Sequence, residues 1–291
     1  MNIQRTFIAG DQWLYFKLYS GYKTAEMILR ETIFPLSESL LNAGLIDQWF
    51  FIRYGDPKYH LRIRFRVTEP GNIGPVILYF NQAVNAFVQE DLIWKIQIDT
   101  YQREIERYGN NTMELAEELF FHDSRATVQL LNELKGNESE NARWILSMKL
   151  IDCLLTDFTL TLPEKNELMG RLAKGFANEF GFDDKNSSKK QMADKYRKFK
   201  SEIEKSMTEG VPDPIQQILS IKSEHITPIA QQIKGISEQS TEYPVSKLLE
   251  SYIHMMMNRY FRTSQRKYEL IIYDFMSMYY NSQLKRRQKQ G

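Results

Sequence analysis

Residues 59–67 read Tyr59-His60-Leu61-Arg62-Ile63-Arg64-Phe65-Arg66-Val67, so four basic side chains alternate strictly with apolar or aromatic ones. A helix would scatter both sets around its circumference. In an extended strand, successive side chains point to opposite faces. The run therefore predicts a strand with one apolar face and, on the other, three guanidinium groups and an imidazole. Like charges side by side on a strand face repel. An ordinary solvated sheet would interleave acids here, so this face calls for a negatively charged ligand or for acids from a neighbouring element. It reads as an anion-binding face backed by core.

Composition bounds which anion. Of the 291 residues 42% are hydrophobic and 13% aromatic, enough for a large core in one or two domains. Lys and Arg number 38 against 37 Asp and Glu, a net charge of +1. A chain that wraps nucleic acid carries a basic excess, so the arginine row is local and no direct nucleic-acid partner is expected. The single cysteine, Cys153, sits in an apolar stretch and is expected to be a buried packing residue. The four histidines, His60, His122, His225 and His254, form no metal-ligand spacing, so neither a metal nor a cofactor is expected. The N-terminus lacks an apolar signal core and no apolar run of about 18 residues occurs, which predicts a soluble, cytoplasmic protein.

The first hundred residues mix strand and helix signals. Trp13 to Tyr19 alternates and is rich in aromatics. A helical pattern over Lys23–Ala43 is interrupted near Pro35 and closed by Gly44. Gln48–Arg53 reads as a strand joined through the turn at Tyr54–Lys58 to the arginine strand, a β-hairpin. A helix over Gly74–Glu90 precedes a further strand, Trp94–Tyr101. Its expected faces are Trp94, Ile96 and Ile98 against Lys95, Gln97, Asp99 and Tyr101, with Arg103 continuing the polar side. The segment Glu104–Gly109 is expected to be a turn or short helix ended by glycine. From Thr112 the period turns helical, with segments at Thr112–Leu134, Asn141–Thr159, Pro163–Phe180, Lys189–Met207, Ser246–Arg262 and Gln265–Leu284. Asp183–Lys190 reads as a polar connection, Pro212 and Pro214 as a break, and the tail from Lys285 as a solvated end. The fold class is α+β: a small antiparallel-containing sheet near the N-terminus packed against a larger helical portion. One domain over 1–291 is expected, with a mixed part at 1–110 and a helical part at 111–291.

The segment Leu248–Phe261 is apolar around most of a helix, with Glu250, His254 and Asn258 forming one polar stripe at four-residue spacing. A lone helical histidine is most often a core residue satisfied by a neighbour. The stripe favours a chemical role, with Glu250 orienting the imidazole of His254 while its other nitrogen faces a cavity. Arg103 follows a polar strand face and is the more suggestive of the pair Arg103 and Arg107, the latter reading as a surface ion pair with Glu104 or Glu106. His122 reads as part of a helix-associated polar cluster, and His225 lies in a loop-like, charged context. Phosphate-loop, nucleophile-elbow, zinc-protease and paired-cysteine motifs are missing from the sequence.

Five segments in order carry a resemblance: Trp13–Tyr19, Asp56…His60–Phe65, Tyr101–Gly109, Phe121–Ser124 and Ser251–Met255…Asn258-Arg259. Together they span nearly the whole chain, which resembles the C-terminal glutamate-elimination domain of LanB-type lantibiotic dehydratases. That domain also occurs as free-standing proteins in thiopeptide and related bacteriocin pathways. The resemblance implies a lyase that removes the Cα proton from a glutamylated Ser or Thr of a ribosomal precursor peptide and expels glutamate, leaving dehydroalanine or dehydrobutyrine. It carries the family's active-site residues onto Arg62, Arg64, Arg103 and His254, with His60, Arg66 and Asn258 as secondary, substrate-binding candidates. It further implies a separate glutamylation protein as partner, with the chain a split or stand-alone form. A homodimer is left open, and no membrane is involved. Two alternatives stay open. One is a pyridine synthase of thiopeptide maturation on the same fold, and the other a non-catalytic peptide-binding partner of a modifying enzyme.

Overall fold

The computed structural model describes residues 3–134, 140–181, 187–239 and 242–289. After a two-residue strand β1 (Thr6–Phe7), the alternating segments become β2 (Trp13–Ser20), β3 (Ile46–Tyr54), β4 (His60–Val67) and β5 (Ile93–Ile98). Helices α1 (Tyr22–Ile28) and α2 (Phe34–Asn42) connect β2 to β3, and α3 (Ile73–Gln89) connects β4 to β5. The sheet order is β3-β4-β2-β5, antiparallel throughout. This is the β-α-β-β-α-β arrangement of a ferredoxin-like sheet, with the arginine strand in an interior position.

The chain divides into two compact units. The first comprises Met1–Glu133, Gly235–Pro244 and Asn258–Thr263. One face of its sheet is the predicted core. Leu61, Ile63, Phe65 and Val67 are almost wholly buried with Leu14, Phe16 and Leu18 of β2, Trp49 and Phe51 of β3, and Ile28, Val76, Phe80 and Val84 of the helices. The break foreseen at Pro35 is a π-helical turn, Leu29–Ile33, between α1 and α2. Proline at the start of α2 supplies no N–H to the preceding ladder, and the wider turn absorbs the gap. Gly44, at φ 66°, closes α2.

β3 is an edge, and edges invite unwanted pairing. Helix α5 (Met113–Glu133) covers it: Phe120 meets Phe50 at 5.6 Å, Phe121 joins the core, and the Phe51 N–H donates to Ser124 Oγ at 3.3 Å. Two residues on, the Arg53 N–H donates to Asn258 Oδ1 at 2.9 Å and Asn258 Nδ2 donates to the Arg53 carbonyl at 2.8 Å. Arg259 is fully buried and donates to Asp123 at 2.6 Å. Segments Phe121–Ser124 and Asn258-Arg259 thus meet on this edge.

The β5 edge departs from expectation. Its pairing with β2 shifts register between Tyr19 and Ser20, which leaves Trp94 unpaired and 51% exposed, and Ile98 at the other end of this edge strand is 42% exposed. The strand ends at Ile98, and a separate strand β6 (Tyr101–Gln102) pairs with β1. Arg103 therefore continues β6 beside β1, not the polar face of β5. The short helix α4 (Ile105–Tyr108) ends on Gly109 at φ 78°, as expected.

The second unit, Leu134–Lys234, Val245–Met257 and Ser264–Gly291, is helical. It contains α6 (Glu140–Asp157), α7 (Leu162–Glu179), α8 (Ser187–Thr208), most of α9 (Asp213–Glu238), most of α10 (Val245–Tyr260) and α11 (Gln265–Gln288). Leu154, Met169, Ile203, Ile229, Leu249, Ile272 and Phe275 are buried in its core. Helix α9 corrects the loop-like reading of His225, which lies within it. Pro214 marks the first turn of that helix rather than a break, and Pro228 inside it masked the pattern Ile215, Ile218, Leu219, Lys222, Ile226, Ile229 and Ile233. Residues 183–186 of the polar connection lie outside the described residues, and α8 already begins at Ser187. Helix α11 continues past Leu284 to Gln288. Cys153 is half-buried rather than fully buried, and burial raises its thiol pKa. Among the described residues, no helix is long and apolar enough to cross a membrane.

Candidate active site

The sheet face opposite the core carries the basic row. Register sets Arg64 between Tyr15 of β2 and Phe50 of β3, and Arg62 between Lys17 and Ile52. The Arg64 guanidinium sits 4.5 Å from the Tyr15 ring, 5.0 Å from Phe50 and 4.6 Å from Tyr101. This aromatic box offers π-faces to the cation but almost no hydrogen bonds. Arg64 is only 7% exposed and its Nε has no partner. The Tyr15 hydroxyl beside it is likewise buried and unpartnered. Burial lowers the Arg64 pKa, which the two tyrosines only partly offset. Arg62 lies flat on Tyr54, its Cζ 3.4 Å from the ring centroid, and its Nε donates to His60 Nε2 at 3.2 Å. Among the described residues, neither Arg62 nor Arg64 forms an ion pair with a carboxylate.

Other arginines do. Arg66 makes a two-pronged pair with Asp47, at 2.6 and 3.0 Å. Arg53 reaches Glu26 at 3.3 Å. Arg103 donates from Nε and Nη2 to the two oxygens of Glu117 at 2.8 and 2.6 Å, from Nη1 to the Gln4 carbonyl, and from Nη2 to Glu114. Burial disfavours the charge of Arg103, but its hydrogen bonds and attraction to Glu117 outweigh that and raise its pKa. Glu117 also accepts from the Tyr101 hydroxyl at 2.7 Å. Arg103 therefore bears on Arg64 indirectly: its partner anchors the tyrosine that forms one wall of the box. The structure thus brings Arg62, Arg64 and His60 together with both guanidiniums lacking an acid, while the side chains of Arg66, Arg103 and Asn258 are engaged within the protein.

In the second unit, His254 of α10 meets Glu269 of α11, Nδ1 to Oε1 at 2.9 Å. Glu269 is completely buried, whereas the His254 side chain is 30% exposed. The Tyr273 hydroxyl donates to Glu269 at 2.7 Å, and Gln265 Nε2 donates to the His254 carbonyl and to Glu269. The carboxylate of Glu269 thus faces Nδ1 and not Nε2, and a carboxylate favours an N–H on the nitrogen it faces. Glu250, expected to orient the imidazole, pairs instead with Arg171 at 3.1 Å. A buried acid one helical turn before Tyr273, amid Leu270 and Ile272, was the signal in the sequence for Glu269.

The first unit thus carries a ferredoxin-like sheet with two acid-free arginines, and the second a histidine–glutamate pair. Residues 13–280 match the protein family described as lantibiotic biosynthesis dehydratase, C-terminal. The chain belongs to that family. It is 29% identical to the subtilin biosynthesis protein SpaB of Bacillus subtilis over 176 residues, 58% of this chain and 17% of that protein. It is 28% identical to the nisin biosynthesis protein NisB of Lactococcus lactis subsp. lactis over 138 residues, 47% of this chain and 13% of that one. The chain thus corresponds to a small part of the length of these curated relatives. Among solved structures, the tRNA-dependent lantibiotic dehydratase MibB from Microbispora superposes with a TM-score of 0.72 at 19% identity, over 97% of this chain and 29% of that one. The pyridine synthase TbtD from thiomuracin biosynthesis superposes with a TM-score of 0.65 at 12% identity, over 93% of this chain and 99% of that one. At such identities the two structures share the fold of this family member.

Proposed function

We propose that this chain is a lyase that eliminates glutamate from glutamylated Ser or Thr residues of a ribosomal precursor peptide, leaving dehydroalanine or dehydrobutyrine. The observation that carries this reading is the acid-free pair Arg62 and Arg64 in a chain of the dehydratase family. The leaving group of such an elimination is a carboxylate, and the glutamyl side chain carries a second. Guanidinium groups bind carboxylates through paired N–H donors and stay charged at any working pH. In a desolvated setting they act most strongly on charge that develops in the transition state. Arg62 and Arg64 hold the glutamyl carboxylates in this reading, and His254 shuttles the proton through Nε2, the nitrogen that does not face Glu269. A separate glutamylation protein supplies the ester. His60 faces Arg62 rather than an open site, and Arg66 and Asn258 serve the scaffold.

The test is incubation with a precursor peptide carrying a glutamyl ester, read by mass spectrometry. The expected product is lighter than the glutamylated peptide by one glutamic acid, and so lighter than the unmodified peptide by one water. Persistence of the ester under all conditions sinks the reading. His254→Ala is expected to accumulate glutamylated peptide while remaining folded. Glu269→Gln is expected to lower turnover about a hundredfold or more with little change in KM, because an amide in place of the carboxylate no longer enforces the Nδ1–H tautomer. An unchanged kcat in that variant would remove Glu269 from the mechanism.

A second reading is supported by the near-complete mutual coverage with the pyridine synthase TbtD. It predicts that a precursor already bearing two dehydroalanines is cyclised with release of its leader, and that a glutamylated peptide is left untouched. The same spectrometer separates the two.

A further inference from the structure

His60 is 1% exposed in the structure, so its side chain has little surface to offer a substrate. Its two ring nitrogens have partners of fixed character. Nδ1 lies 2.8 Å from the Lys58 carbonyl, which can only accept, so Nδ1 carries a proton. Nε2 receives the Arg62 Nε–H at 3.2 Å, and that group can only donate, so Nε2 is bare. The imidazole is therefore neutral, in a single tautomer, and linked directly to Arg62.

We propose that His60 is a positioning residue that holds the Arg62 guanidinium flat against Tyr54, through a hydrogen bond that only the unprotonated imidazole can accept. The inference rests on the reading of Arg62 as a residue that holds a glutamyl carboxylate. A guanidinium with one edge tied by Nε and one face stacked on Tyr54 has its outer Nη groups presented in a fixed plane, ready for a carboxylate fork. Arg64 is fixed differently, by its three-ring box, so the two arginines are held by independent devices.

The same geometry makes Arg62 sensitive to acid. A proton added to Nε2 sets N–H against N–H and one cation beside another, and the tie to Arg62 breaks. The groups facing the imidazole are Tyr19 of β2 at 4.6 Å, Tyr54 of β3 at 5.5 Å and Arg62 on its own strand, with Lys17 of β2 and Asp56 of the β3–β4 loop acting at longer range. Burial is the largest influence and moves the His60 pKa below its ordinary 6.5. The Lys58 hydrogen bond and Asp56 act in the opposite direction, while Arg62 and Lys17 lower it further. Arg62 is thus held at neutral pH and released only as the pH falls below 6.5.

The test compares wild type, His60→Phe and His60→Gln on a short peptide bearing O-glutamyl-serine, with kcat and KM measured from about pH 5 to 8. Wild type is expected to show a KM that rises on the acid side. His60→Phe removes the acceptor and is expected to raise KM about tenfold at neutral pH, with a smaller effect on kcat. His60→Gln restores a non-titrating acceptor and is expected to recover much of that loss while abolishing the acid rise. Nitrogen-15 NMR of the imidazole in the wild-type protein, without substrate, is expected to show Nδ1 protonated and Nε2 bare at neutral pH. A protonated Nε2, a KM indifferent to acid, or a glutamine variant no better than phenylalanine overturns the proposal. If wild type fails to turn the peptide over, the lyase reading falls and the NMR result alone decides the state of His60.

Discussion

Arg64→Leu is expected to lower elimination about a thousandfold while leaving the melting temperature unchanged or higher. The first effect follows from removing a desolvated charge from the place where the leaving carboxylate develops. The second follows from what Arg64 costs the fold. Removing a cation from water costs several kcal/mol after relaxation, and replacing a buried charge by an apolar side chain of similar volume is often neutral or stabilising. Its three ring contacts return about 0.5–2 kcal/mol each, and no carboxylate in the described structure returns more. Leucine fits the same setting of Tyr15, Phe50 and Tyr101 without that cost. If Arg64 were a structural residue, the signs would reverse: Tm would drop by several degrees and the folded fraction would keep its turnover. Thermal unfolding and the mass-spectrometric assay on one preparation read both effects.

The features legible in the sequence were those with a period. The alternation of His60–Val67 placed every side chain of β4 on its observed face, because a pleated strand leaves no other choice. The hairpin to β3, the helices of the second half and the Gly109 terminator followed from equally local rules. Where the structure departs from the local pattern, distant partners or masked periods decide the outcome. Helix α9 was hidden because a proline in its interior and a scatter of polar residues blur a pattern that packing with the other helices makes whole.

The site shows the same division more sharply. That Arg62, Arg64 and Arg66 share a face was readable; which of them keeps an unanswered charge was not. Asp47 neutralises Arg66 from an irregular pairing point of β3, where the register shifts between Ile46 and Gln48. Glu117 captures Arg103 from a helix that begins ten residues later. Glu269, rather than Glu250, orients His254, since a side chain four residues away on the same helix competes with any acid that packing brings opposite. Acids buried on apolar helix faces, such as Glu117 and Glu269, are the sequence signal for such partners.

Glu117→Gln tests what Arg103 is for, and it is expected to have the largest effect on stability. Glu117 and Arg103 form a buried two-pronged pair, 0% and 4% exposed. Breaking such a pair from one side strands a buried charge and costs about 3–5 kcal/mol. Tm is therefore expected to fall by more than 5 °C, given about 2–4 °C per kcal/mol for larger domains. Elimination is expected to fall further than unfolding explains, because an amide N–H set against the Arg103 Nη2 donor displaces the side chain that anchors Tyr101, one wall of the Arg64 box. The double variant Arg103→Met with Glu117→Leu removes both charges and should regain most of the lost stability. What it does to turnover decides the role of Arg103. If turnover returns with stability, Arg103 serves the scaffold alone, and the anion is held by Arg62 and Arg64. If stability returns and turnover stays lost, while Tyr101→Phe, which removes the same hydroxyl anchor, keeps its turnover, Arg103 leaves Glu117 during the reaction and takes up the substrate carboxylate itself.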